Sequence, residues 1–126
     1  MSLQSAVLYR LELLEEDLLL RPEQQNAWRN YRDRVVKLAE DAQRSARTAL
    51  GGEMTAPQRL DRISDIARDR LTAIEDIADA GKQLYATLTP IQQALADRRL
   101  AAPALALVGV EPHSAPPRAG TGGKFP

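Results

Sequence analysis

Hydrophobic residues recur at helical spacing along most of the chain. Near the amino terminus Val7, Leu11, Leu14 and Leu18 lie four, three and four residues apart, which predicts an amphipathic helix over about residues 5–20. A second helix, over about 22–50, is predicted by a heptad-like seam whose spacing alternates between three and four; its members are Trp28, Tyr31, Val35, Leu38, Ala42, Ser45 and Ala49.

A third helix is predicted over about 57–88 from a stripe that repeats after eleven residues. The stripe consists of Leu60, Ile63, Ile66 and Ala67, followed by Leu71, Ile74, Ile77 and Ala78. An eleven-residue period favours a nearly straight helix, which would diverge from a heptad-like partner and leave an open groove. Ordinary helix curvature is the competing interpretation. A short fourth helix is predicted over about 90–101, with Ile91 and Leu95 facing inward.

Glycine and proline positions indicate how these helices are connected. Gly51-Gly52 ends the second helix, so the second and third helices are predicted to form a long antiparallel hairpin. Gly81 falls at the open end of this hairpin, where it is expected to admit the ring of Trp28 or to mark a bend. The fold class is therefore all-α, a helical hairpin flanked by the first and fourth helices.

The last part of the chain has a different composition. Pro and Gly are frequent from Pro103 onward, which predicts a helical domain over 1–102 and a disordered tail over 103–126. The apolar run 104–110 within this tail is expected to find a groove, in its own chain or in a neighbour. The first helix has a wider apolar face than one neighbour would cover, so contact with two elements or a homodimer is predicted.

Composition and charge exclude several kinds of protein. The chain has 17 basic and 17 acidic residues, so no excess of positive charge favours nucleic acid. It has no cysteine, and its apolar runs are too short to insert into a membrane. The first residues lack a basic segment followed by an apolar one, so no signal peptide is recognised.

The sequence also shows no recognisable set of catalytic or metal-binding residues. The single histidine, His113, lies in the predicted tail, and a metal site usually needs several convergent ligands. The carboxylate pairs Asp65/Asp69 and Glu75/Asp79 are interleaved with arginines and indicate an ion-paired surface. Neither an enzyme nor a bound cofactor is therefore expected.

A short motif occurs twice, at the junctions that bracket the hairpin. The copies are Leu20-Arg21-Pro22-Glu23-Gln24 and Leu88-Thr89-Pro90-Ile91-Gln92. In the second copy Thr89 is predicted to be the N-cap, Pro90 the first helical residue and Gln92 the partner that completes a capping box. The residues that both copies share, the leucine, the proline and the glutamine, are interpreted as helix-capping and fold-specifying.

The pattern Leu-Thr-x-x-Gln, complete only at Leu88, Thr89 and Gln92, resembles the signature of the Spy/CpxP family of small helical periplasmic proteins. The first copy departs from it, with Arg21 in the place of the threonine. The resemblance covers about residues 8–100. It implies a periplasmic location, with a chain that begins after the signal cleavage site.

The resemblance also implies a function. It suggests an ATP-independent chaperone that binds unfolded or aggregation-prone proteins through a dimeric helical cradle. By this resemblance client contact is placed on the outward side of the second and third helices, around Arg29, Arg32, Arg62 and Ile66. One alternative is a modulator of envelope stress signalling that docks on the periplasmic domain of a sensor kinase. Another is a helical structural module without client binding.

Overall fold

Five α-helices make up most of the part of the chain that the structure describes. The computed structural model describes residues 2–109. The helices are α1 (Leu3–Leu18), α2 (Gln25–Leu50), α3 (Ala56–Thr87), α4 (Pro90–Arg99) and α5 (Ala102–Leu107), with a single 3₁₀ turn at Pro22–Gln24 before α2. With 26 and 32 residues, α2 and α3 are about 39 and 48 Å long and form the predicted antiparallel hairpin. The all-α hairpin fold is confirmed.

Several helix boundaries differ from the prediction for local reasons. α1 ends at Leu18 because Leu19 adopts a left-handed conformation with φ 54°. The second helix begins with a 3₁₀ turn, in which the Gln24 N–H donates to the Arg21 carbonyl at 2.9 Å. In α4 the expected inward position of Ile91 is wrong, since its side chain is 85% exposed.

The prediction of disorder from residue 103 is wrong for its first residues. They form α5, whose Pro103 and Leu107 are buried and which packs against α1 and α2. Burial of these apolar side chains outweighs the local composition, since each buried large aliphatic residue contributes roughly 1.5–3 kcal/mol. The apolar segment therefore docks within its own chain, as a helix. The part of the predicted tail from residue 110 onward lies outside the described residues.

The core is concentrated at the open end of the hairpin. Trp28 and Tyr31 of α2 are buried there beside Leu84 and Leu88, with ring centroids 6.2 Å apart. Gly81 admits the ring of Tyr31 instead of that of Trp28, because a Cβ at this position would lie 3.1 Å from Cε1 of Tyr31. The open end is therefore the thick, anchored part of the molecule.

Toward the tip the hairpin loses its core. Among the α2 residues whose burial is described, the last buried ones are Leu38 and Ala39. A gap of about 40 Å³ between the helices is lined in part by Ala42 and Ile66. The tip is closed by Arg59, whose guanidinium donates to the carbonyls of Ala49 at 2.9 Å and Gly52 at 3.1 Å. The two arms thus meet through small side chains and backbone contacts.

Thr89 provides the helix cap that the sequence predicts. Its hydroxyl accepts a hydrogen bond from the Gln92 N–H at 3.2 Å, and the Gln92 side chain accepts from the Thr89 N–H at 2.9 Å. We expect Thr89→Ala to lower the free energy of unfolding by about 1 kcal/mol, whereas Thr89→Ser should lose far less because it keeps the acceptor. Urea unfolding of the three proteins tests this, and equal losses for Ala and Ser would contradict the cap.

Because of Tyr31, the free energy of unfolding is expected to fall as the pH becomes alkaline. Its hydroxyl donates to the Leu100 carbonyl at 2.7 Å, and burial raises the pKa of Tyr31 to about 12. The unfolded chain ionises near pH 10, so this stabilisation is complete below pH 10 and is lost as the pH rises toward 12. At pH 11 the loss should be about 1.4 kcal/mol.

The variant Tyr31→Phe separates this effect from other alkaline changes. At pH 7 it should be about 1 kcal/mol less stable than the natural chain, because the hydrogen bond to Leu100 is lost. By pH 11 the difference should disappear and slightly reverse, since only the natural chain has Tyr31 to ionise and its loss of about 1.4 kcal/mol exceeds the contribution of the hydrogen bond. Urea unfolding at pH 7 and pH 11 measures the stability difference between the two proteins. A difference that stays the same at both pH values would contradict the role of Tyr31.

Candidate functional site

The glutamines of the two motif copies meet in the interior of the molecule. Gln24 and Gln92 are 2% and 8% exposed. Nε2 of Gln24 donates to Oε1 of Gln92 at 2.8 Å, and Nε2 of Gln92 donates back to Oε1 of Gln24 at 3.1 Å. The two motif copies therefore form a pair of side-chain amides related by approximate twofold symmetry.

Each amide also binds the backbone of neighbouring helix ends. Gln92 donates to the Leu18 carbonyl at 3.1 Å, and Gln24 donates to the Thr87 carbonyl at 2.7 Å and accepts from the Arg21 N–H at 2.8 Å. These bonds join the ends of α1 and α3 to the beginnings of α2 and α4. We call this arrangement the glutamine clasp. The sequence predicts the capping role of Gln92 but not its pairing with Gln24, although the repeated motif is a signal for this pairing.

Next to the clasp, α3, α4 and α5 leave an open apolar groove of about 540 Å³. Much of its wall consists of small residues, which are flanked by larger apolar side chains. The lining residues include Ile74, Ala78, Gly81, Tyr85, Leu100, Ala101, Ala104, Leu105 and Val108. The small side chains explain why the groove stays unfilled, since larger ones at these positions would occupy it.

An exposed apolar stripe on α3 leads from the hairpin tip toward this groove. Leu60, Ile63 and Leu71 are 66%, 56% and 57% exposed, and Ile74 continues the stripe into the groove wall. The sequence pattern that predicts the stripe does not tell which of its residues face α2 and which face solvent. Ile77 and, partly, Ile66 turn toward α2, whereas the other large residues remain in contact with solvent.

The charged groups at the groove are few. Lys82 and Asp97 line it, and Glu75 precedes Ala78 by one turn of α3. A hydrogen bond to the Asp97 carboxylate raises the pKa of Tyr85, with smaller contributions from burial and from the negative charge. Asp97 and Tyr85 thus form one polar edge of an otherwise apolar surface.

The structure does not bring together the four residues proposed for client contact. The ion pair between Arg34 and Asp76, at 3.8 Å, shows that these positions of α2 and α3 lie opposite each other in the hairpin. Arg62 lies 14 residues before Asp76, or about 21 Å nearer the tip, whereas Arg29 and Arg32 lie on the side of the open end.

Their environments also differ. Arg29 and Arg62 are exposed, and Arg32 is half-buried and pairs with Asp33 at 3.2 Å. Ile66 is half-buried in the gap between α2 and α3. A client would have to span most of the hairpin to touch all four, so the apolar stripe and groove are the more compact candidate surface.

Within residues 2–109 no group of three or more His, Cys, Asp or Glu side chains is arranged to hold a metal ion. None of the described helices combines the length and the apolar character needed to cross a membrane. The motif residues Leu20, Pro22, Leu88 and Pro90 lie at the clasp, where the two prolines begin their helical turns.

An all-helical hairpin whose ends are joined through two copies of a glutamine motif defines a class of small helical proteins. A family model described as LTXXQ motif family protein matches residues 9–100, more than half of the chain. The chain belongs to this family, which includes Spy and CpxP. No curated protein and no solved structure matches the chain significantly.

The glutamine clasp makes a specific prediction. Gln24→Glu removes the donor that serves Thr87 and Gln92 and places carboxylate oxygens against their oxygens. Because several buried groups lose partners, the free energy of unfolding at pH 7 should fall by about 3 kcal/mol or more. Burial and the missing donors should raise the pKa of the new carboxyl, so stability should partly return as the pH falls toward 4.

The exposed residue Gln43 provides a matched control in the same helix. Gln43→Glu makes the same chemical change without breaking the clasp, so its effect should stay within about 0.5 kcal/mol. Urea unfolding at pH 4 and pH 7 compares the two variants. Equal stability of both variants at pH 7 would contradict the clasp.

Proposed function

We propose that this protein is an ATP-independent chaperone of the periplasm, which binds unfolded or aggregation-prone proteins on the α3 stripe and the adjoining groove. The observation that carries this proposal is a continuous apolar surface on a folded domain. Large exposed apolar patches mark sites where proteins meet other molecules. Family membership supports the proposal, since Spy and CpxP give the periplasmic and chaperone expectation.

The surface has the properties that a general client site needs. Leu60, Ile63 and Leu71 can contact apolar side chains without a fixed register, because the stripe is open to solvent along its length. Arginines near both ends, among them Arg29 and Arg62, would steer charged clients toward the hairpin. In a homodimer two such stripes would face one client and form the proposed cradle.

A second function is supported by the same exposed surface. A modulator of envelope stress signalling would use the stripe to dock on the periplasmic domain of a single sensor kinase. The two functions differ in selectivity, because a chaperone binds many unrelated unfolded chains and a modulator discriminates against all but one partner. A helical structural module would bind neither unfolded proteins nor a sensor kinase.

Suppression of aggregation is the direct test. An unrelated, chemically denatured enzyme is diluted into buffer without nucleotide, and light scattering is followed with equal and fivefold molar amounts of this protein. We expect suppression near equal molar amounts because the stripe covers exposed apolar segments of the client. No suppression by the folded protein would contradict the chaperone proposal and favour the single-partner modulator.

Two double variants locate the surface. Ile63→Ser with Leu71→Ser removes large side chains from the stripe, whereas Leu19→Ser with Ile91→Ser makes the same exchange elsewhere, at side chains that are 80% and 85% exposed. All four side chains are exposed, so both variants should fold. The stripe variant should need at least threefold more protein for equal suppression, while the control should behave like the natural chain. Equal behaviour of the two variants would exclude the stripe.

A further inference from the structure

The groove opens beside the point where the described chain ends. Leu105 and Val108, the last apolar residues of the α5 region, form part of its wall. Gly109 follows with φ 85°, a left-handed conformation that turns the chain after the helix. The seventeen residues from 110 to 126 therefore begin at the rim of an apolar groove.

These residues are long enough to lie in the groove. Along α3 the groove extends from Ile74 to Tyr85, eleven residues or about 17 Å of helix. Eight residues separate Gly109 from Pro117, and a chain of that length spans at most about 29 Å. Phe125 is eight residues further along, so both positions are within reach.

The residues from 110 to 126 also match the groove in chemistry. The groove has an apolar floor and a polar edge that contains Tyr85, Lys82 and Asp97, of which Asp97 is the one carboxylate among the described residues that line it. In the terminal sequence the basic residues Arg118 and Lys124 are each directly beside an apolar one, Pro117 and Phe125 respectively. Proline-rich segments bind aromatic-lined grooves with a low entropic cost, and a basic residue pairs with an acidic rim.

We propose that the segment 115–125 of this chain folds back into the groove, with Pro116-Pro117 and Phe125 against its apolar wall and Arg118 or Lys124 beside Asp97. A segment tethered by a short linker has an effective concentration of the order of mM. A dissociation constant of about 1 mM would therefore suffice for half occupancy. If the proposed function holds, the segment competes with clients for the groove.

Paramagnetic broadening tests the docking without any client. The chain has no cysteine, so Thr121→Cys introduces a single attachment site for a nitroxide label. We expect methyl resonances of Ile74, in the groove wall, to broaden strongly, and those of Ile63, on the exposed stripe, to change little. Broadening that only decays with distance from Gly109 would overturn the proposal.

A matched variant keeps the label and removes the recognition chemistry. Adding Arg118→Glu, Lys124→Glu and Phe125→Ala to the labelled chain should restore the Ile74 signal at least threefold. Without the label, the same triple variant should bind an apolar fluorescent dye at least threefold more tightly, because the groove is free. Unchanged dye affinity together with an unchanged Ile74 signal would also overturn the proposal.

Mixing experiments identify the source of any docked segment. An isotope-labelled chain without the nitroxide is mixed with spin-labelled chains that carry no isotope. Broadening in this mixture would place the segment in the groove of a second copy and overturn folding back within one chain. Aggregation suppression is measured separately with the triple variant, whose groove is free. Groove docking in the natural chain together with no client capture by this variant would refute the proposed function and leave this inference intact.

Discussion

The reciprocal hydrogen bonds between Gln24 and Gln92 are the contact on which the arrangement of the helices depends. Four helix ends meet at this pair. The two amides form hydrogen bonds with N–H groups at helix starts and carbonyl groups at helix ends, which have no partner within the helix to which they belong. An unpaired polar group at such a buried place would cost about 1–3 kcal/mol, so the amides favour one arrangement over slipped alternatives. The groove lies beside the clasp, and its walls are therefore held by polar contacts as well as by apolar packing.

The hairpin combines a stable end with an exposed one. At the open end Trp28 and Tyr31 fill the space between the helices, and α1 and α5 pack against α2 there. At the tip the facing residues are small, so the helices approach through Ala42 and Ser45, and the large side chains of the neighbouring face of α3 stay in solvent. This division lets a small domain keep a defined core while it presents apolar residues to other molecules.

Local features of the structure could be predicted from the sequence with good accuracy. The cap at Thr89 and the break at Gly51-Gly52 depend on residues within four positions of each other, so the sequence alone is enough to recognise them. Long-range features were harder. The sequence pattern predicts either the ring of Trp28 or a bend at Gly81, and it predicts an inward Ile91, because the period of a helix does not tell which neighbour covers each face.

The sequence by itself determined the first four helices, their order, the hairpin and the family, since spacing, capping and the repeated motif are properties of the linear chain. Only the tertiary structure decided that the two motif glutamines pair, that residues 102–107 form a helix on α1, and which part of the α3 stripe remains exposed. These outcomes depend on contacts between segments that are far apart in the chain, 68 residues for the glutamine pair and at least 84 between α1 and α5. Such contacts are fixed by which surfaces fit together when the chain folds, and the local pattern of residues does not contain that information.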